Sequence, residues 1–184
     1  MSLPPGQVPA KKFPVFTYVP PAKLPPSEAY RFWVRGRVER PLEFALADLL
    51  ALGGEAVRHD FHCVTGWTRE GVGWEGVPLG RVLALAGLKS EARWLLAFAY
   101  GAYSAAVPLA EALKPGVILA YKLDGKPLPE PYGGPLRLVV PHLYGWKSVK
   151  WLLGLKLLDR YEPGYWEERG YHPRGDPWRE ERYG

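Results

Sequence analysis

Apolar and polar residues alternate over Ala56–Cys63. Val57, His59, Phe61 and Cys63 share one face, and Arg58, Asp60 and His62 share the other. That period of two predicts a half-buried strand that closes on Cys63. Arg31–Val38 and the apolar run Trp94–Tyr100 predict two more strands. Val117–Leu123 and Lys126–Leu128, joined by Asp124-Gly125, predict a hairpin around a tight turn. Leu136–Val140 is a short strand between Gly133-Gly134-Pro135 and Pro141. Val149–Leu158 alternates well enough for another. Helices are few and short. Ala45–Leu52 ends on Gly53-Gly54, Pro78–Ala86 starts on proline and ends before Gly87, and Pro108–Leu113 offers a helical turn or two. Cys63 is followed by a stretch rich in Gly and Trp that reads as a loop. Residues 1–27 hold eight prolines, so they should lie extended, draped over the rest. The tail after Glu162 mixes aromatic and charged residues and should pack on the domain.

Composition narrows the class. The chain of 184 residues suits one domain with a substantial core, and 47% hydrophobic with 14% aromatic residues is a globular composition. The net charge of +5 is spread along the chain and mixed with acids. That does not announce nucleic acid, but it suits an anionic small ligand. No run is long and apolar enough to span a membrane, and no secretory signal is evident, so a cytoplasmic location is expected. Asn is absent and Gln7 is the only Gln, a scarcity of heat-labile side chains that fits a thermophile or a biased genome.

The chemistry centres on Cys63, the only cysteine. It is either a small buried hydrophobe or a soft thiolate ligand for a metal at a strand end facing a cavity. Arg137 interrupts an apolar strand, which calls for an anionic partner. Lys147, Ser148 and Lys150 follow at close spacing, and with Arg137 they could hold a phosphate. Neither a Walker loop nor a dinucleotide glycine fingerprint is present. His59 and His62 should point to opposite faces, and His142 and His172 lie far off, which disfavours a shared zinc tetrahedron.

Several runs together resemble the molybdenum-cofactor domain of the sulfite oxidase superfamily, in its small bacterial members. They are His62-Cys63-Val64-Thr65-Gly66-Trp67 through Trp74-Glu75-Gly76-Val77-Pro78-Leu79, Gly134-Pro135-Leu136-Arg137, Tyr144 through Trp151, and Gly170-Tyr171-His172 to Asp176-Pro177-Trp178. The resemblance implies a mixed, multi-sheet α+β fold in a single molybdopterin-binding catalytic domain over residues 30–184, preceded by an extended segment, 1–29. It implies molybdenum bound by one molybdopterin and by the Cys63 thiolate. It implies cofactor contacts from Tyr132, Arg137, Lys147, Ser148, Val149 and Lys150. The implied activity is two-electron oxygen-atom transfer to or from a small substrate, with electrons exchanged through a separate partner protein. The implied oligomeric state is a monomer. His62 and Thr65 are candidates to tune the thiolate. Trp67, Arg69, Trp74 and Tyr103 are candidates for the pocket wall. The chain departs from sulfite oxidases, which place an arginine soon after the ligand cysteine. Here Val64-Thr65-Gly66-Trp67 follows and Arg69 comes late, which argues against sulfite. Two other readings stay open: a non-enzymatic pterin-binding module, and a zinc-stabilised or cysteine-nucleophile protein.

Overall fold

The structure is a computed structural model and describes residues 2–184. In chain order its strands and helices are β1 (Val8–Pro9), β2 (Arg31–Gly36), β3 (Leu42–Ala45), α1 (Leu46–Leu50), β4 (Glu55–His62), β5 (Trp67–Pro78) and α2 (Leu79–Ala86), then β6 (Trp94–Ala99), β7 (Ser104–Pro108), α3 (Leu109–Ala112), β8 (Ile118–Leu123), β9 (Lys126–Pro127), β10 (Arg137–Val139) and β11 (Leu152–Leu158). Single 3-10 turns fill several connections.

Two sheets result. The first runs β1-β5-β8-β10, with β4 on β5 and β9 on β8; the second runs β3-β2-β11-β6-β7. Pairing is antiparallel except for β1 with β5 and β2 with β11. Phe32, Val34, Leu95, Ala97, Leu155 and Leu157 of the second sheet share one buried cluster with Val77, Leu119 and Leu138 of the first. The buried residues of α2, Leu79, Val82, Leu83 and Ala86, join the same cluster. The fold is thus α+β in one small domain, with the sheets dominant.

Most expected elements form within two residues of their expected ends. β1, β3, β5 and β7 have no counterpart among the expected strands, and β11 starts later than expected. The stretch after Cys63 is a twelve-residue strand and not a loop. Its glycines and charges hide the alternation, because neither favours a strand. Gly76 is needed there: a Cβ would run into the backbone of Leu119 and Ala120, where the pairing with β8 slips by one residue. β11 begins at Leu152, three residues after the expected start, because Trp151 takes a left-handed backbone (φ 50°). In the hairpin, Asp124 and Gly125 both have positive φ, as a two-residue turn between twisted strands requires.

Candidate active site

Cys63 sits in the four-residue connection between β4 and β5. Its N–H donates to Trp67 O at 2.9 Å, and its carbonyl accepts from Gly66 N at 3.0 Å. Gly66 supplies the positive φ, 112°, that closes this loop. A second donor reaches the Cys63 carbonyl from the N-terminal segment: Gln7 Nε2, at 3.0 Å. Gln7 is brought there by β1, which pairs in parallel with Trp67 and Thr68. Thr68 Oγ1 donates to Gln7 Oε1 at 2.8 Å and lies 2.9 Å from His62 Nδ1. Burial pulls the His62 pKa down. The Cys63 thiol is only partly buried, and Thr65 Oγ1 lies 3.0 Å from Sγ.

The thiol lines a cavity of about 330 Å³. Of the expected cofactor contacts, Tyr132, Arg137, Ser148 and Lys150 line the same cavity. Arg137 is 1% exposed. Its guanidinium donates to Tyr132 O and Ser148 O, both at 2.8 Å, and lies over the Trp74 ring at 5.1 Å. Ser148 Oγ in turn accepts from Val140 N at 2.9 Å, which fixes the turn that carries it. Lys150 donates to Phe16 O at 3.0 Å and to Thr17 Oγ1 at 2.9 Å. Among the described residues, neither cation has a carboxylate within ion-pair distance. Burial drives the Arg137 pKa down to about 9. Burial, with Arg137 nearby, drives Lys150 down to about 8, though Cys63 acts in the opposite sense.

Lys147 and Val149, expected beside these residues, do not line the cavity. Lys147 is fully buried elsewhere. Its Nζ donates to Ala106 O at 2.5 Å and Pro173 O at 2.6 Å and pairs with Glu167 at 3.7 Å. Burial lowers its pKa to about 8 even though Glu167 favours the charged form. Glu167 also accepts from Ala106 N (2.7 Å), Gly164 N (2.9 Å) and Trp146 Nε1 (2.8 Å). Val149 is apolar core at 0% exposure. Ser148, Lys150 and Trp151 therefore face the cavity, while Lys147 and Val149 turn away from it.

Trp67 and Tyr103 line the cavity; Arg69, Trp74 and the four histidines do not. Reading the sequence missed the strap Phe13–Val19, which crosses the cavity and is fastened by Tyr132 Oη donating to Phe13 O at 2.6 Å. It also missed Trp146, Trp166 and Tyr171 as wall residues. Aromatic residues set among the N-terminal prolines were the available signal for the strap.

Buried cations without acid partners are costly unless an anion meets them. Arg137 is such a cation, Lys150 is a partly buried one, and with the Cys63 thiol on the same cavity they fit a thiolate-held metal that carries an anionic chelate with a phosphate. A zinc site lacks donors: among the described residues, no three His, Cys, Asp or Glu side chains converge.

A family model described as the oxidoreductase molybdopterin binding domain matches residues 18–166. The chain is 38% identical to an uncharacterized oxidoreductase, YuiH, of Bacillus subtilis, over 98% of this chain and 91% of that protein. It is 34% identical to the protein-methionine-sulfoxide reductase catalytic subunit MsrP of Xanthomonas campestris, over 73% of this chain and 47% of that one. The sulfane dehydrogenase SoxCD of Paracoccus pantotrophus shares its fold at a TM-score of 0.67 and 29% identity, covering 74% of this chain and 40% of that one. The chain thus spans nearly all of YuiH but about half or less of the other two.

Proposed function

The chain belongs to the oxidoreductase molybdopterin-binding family, within the sulfite oxidase superfamily, and from that premise we propose that it reduces small S-oxides by oxygen-atom transfer. Its cofactor is molybdenum-loaded molybdopterin. When bound, that group supplies the two-electron oxygen chemistry; the chain supplies ligation, orientation and charge. Cys63 is the metal ligand in this reading, with Thr65 beside its sulfur as a tuning hydrogen bond. Tyr132, Arg137, Ser148 and Lys150 hold the pterin and its phosphate. Lys147 and Val149 support the same turn from the core side.

One observation carries the reading: the Cys63 thiol shares a cavity with two cations that have no acid partner among the described residues. Two further points support the reductive direction and an S-oxide substrate. Arg69, the arginine nearest after Cys63 in the sequence, lies outside the cavity, and Arg137, which lines it, is assigned to the cofactor in this reading. A relative covering most of this chain is named as a methionine-sulfoxide reductase. That relative is called a catalytic subunit, and we carry over a separate electron-donating partner from its name. Among the described residues no helix is long and apolar enough to cross a membrane.

The test is metal content and turnover after expression in a host that makes the cofactor. Wild-type protein should carry near-stoichiometric molybdenum and reduce dimethyl sulfoxide with reduced methyl viologen. Cys63→Ser should lose turnover while keeping its circular dichroism spectrum. A wild type without molybdenum, or a serine variant with full turnover, overturns the assignment. Sulfite oxidation with ferricyanide, without S-oxide reduction, would reverse the direction.

A further inference from the structure

Gln7 belongs to the N-terminal segment, yet both polar groups of its side chain are engaged at the turn that carries Cys63. Its Nε2 donates to Cys63 O at 3.0 Å, and its Oε1 accepts from Thr68 Oγ1 at 2.8 Å. Thr68 is fully buried, and a hydroxyl has one proton to give. That proton goes to Gln7. Thr68 Oγ1 therefore accepts from His62 Nδ1–H, 2.9 Å away. The donors run one way, from His62 through Thr68 and Gln7 to the Cys63 carbonyl, and bonds in such a chain polarise one another.

β1 brackets the same turn with its backbone. Val8 N donates to Gly66 O at 2.9 Å, and Ala10 N donates to Thr68 O at 2.8 Å. Cys63 keeps no free backbone group: its N–H goes to Trp67 O, and its carbonyl takes both Gly66 N and Gln7 Nε2. With both groups held, the Cα–Cβ bond is fixed, which leaves Sγ only the rotation about it. Of the three bonds on Cys63, the one from Gln7 alone comes from a distant part of the chain. Gln7 also lies before residue 18, where the family match begins, so the matched region does not carry this contact.

We infer that Gln7 is a positioning residue for the metal ligand: it holds the Cys63 turn in the geometry the metal needs, and it does so while β1 is docked. This rests on the reading of Cys63 as the metal ligand. Linkage makes the effect reciprocal. A docked β1 that favours metal at Cys63 is itself favoured, by the same factor, when metal is bound there. A glutamine that merely stabilised the fold would slow the opening of β1 equally in loaded and cofactor-free protein.

The experiment follows amide exchange at Val8 and Ala10 in molybdenum-loaded and cofactor-free protein. One hydrogen bond is worth a factor of roughly two to ten, so loading should slow exchange at both amides by that factor in wild type. Gln7→Met keeps the length of the side chain but neither polar group. In it the loaded and cofactor-free rates should come together, and molybdenum retention on dialysis should drop by the same factor. Thr68→Val keeps Gln7 Nε2 but removes the hydroxyl that orients it, and should give a smaller change in the same direction; it carries the comparison if Gln7→Met fails to fold. Val8→Ala trims an exposed side chain of β1, leaves Gln7 in place and should keep the wild-type ratio.

A second arm needs no metal. Cys63 is the only thiol, so its alkylation by iodoacetamide in cofactor-free protein reports on the turn alone. Gln7→Met should speed it by roughly two- to tenfold with an unchanged circular dichroism spectrum. A folded Gln7→Met protein that alkylates at the wild-type rate overturns the positioning role, and so does one whose loading protects β1 as in wild type. If wild type takes up no molybdenum yet Gln7→Met alkylates faster, the hold of Gln7 on the turn stands and the metal assignment falls.

Discussion

Arg137 and Lys147 lie ten residues apart, both are buried to 1% or less, and both looked like phosphate ligands in the sequence. Their surroundings differ in one respect. Lys147 has an acid, Glu167, at 3.7 Å, and that carboxylate is itself held by two backbone N–H groups and an indole. Arg137 has carbonyl oxygens and aromatic faces, and an open cavity beside it. A buried cation whose charge is met inside the fold is structural. One whose charge is left over is waiting for an anion from outside. The comparison sorts residues that sequence spacing alone could not separate.

The largest expected effect tests the structural member. Lys147→Met leaves the Glu167 charge buried without its cation, and breaking such a pair costs about 3–5 kcal/mol. Urea unfolding should show a loss of that size. The double variant Lys147→Met/Glu167→Gln should recover part of it, because the remaining carboxamide oxygen still accepts hydrogen bonds without a charge. A stability loss below about 1 kcal/mol in the single variant would show that the pair is not the anchor the geometry suggests.

Arg137→Met should act on loading instead. A hydrogen bond to a charged group is worth about 1.5–3 kcal/mol, so cofactor retention should weaken by roughly ten- to a hundredfold. Molybdenum per folded protein after dialysis measures it. Equal retention in Arg137→Met and wild type would mean that the uncompensated charge serves another purpose. Lys150→Met should weaken retention less, by about tenfold at most, because its ammonium is more open to solvent and better screened. The same change removes the bonds to Phe16 and Thr17, so proteolysis of the strap should quicken as well.

How much of this was legible beforehand follows from which forces act locally. The strand ending one residue before Cys63, the Asp124-Gly125 hairpin and the helix after Pro78 are written in alternation, turn chemistry and capping, all short-range signals. β5 was hidden in part because Gly76 serves close approach to β8, a contact more than forty residues away. The cation cradle was legible as a composition of residues, but not as a geometry. Ser148 and Lys150 reach the cavity while Lys147 turns away, and that division depends on the 3-10 turn Gly145–Lys147, which no local pattern announced. The aromatic wall of the cavity was illegible because its rings come from the strap, from the β6–β7 turn, from the 3-10 turn at Trp146 and from the tail. Only tertiary packing brings those four segments together.

The smallest expected effect is in pH. An unfolded chain keeps the Lys147 proton to about 10.4, while the native chain releases it near about 8. Below about 8 both states hold the proton, so Lys147 contributes no slope there. Between the two values the unfolded state binds more protons, so stability rises with pH. Lys150, lowered to about 8, and Arg137, lowered to about 9, act with the same sign. The urea midpoint of cofactor-free protein should therefore climb between roughly pH 7.5 and 9.5, before tyrosines ionise near about 10. In Lys147→Met the climb should shrink without vanishing, because the two cavity cations still titrate. Cofactor loading should flatten what remains: an anion beside Arg137 and Lys150 favours their charged forms and moves their native values back toward the unfolded ones. A climb that survives loading unchanged would place the anion somewhere other than beside those two side chains, and the contrast between Arg137 and Lys147 would lose its meaning.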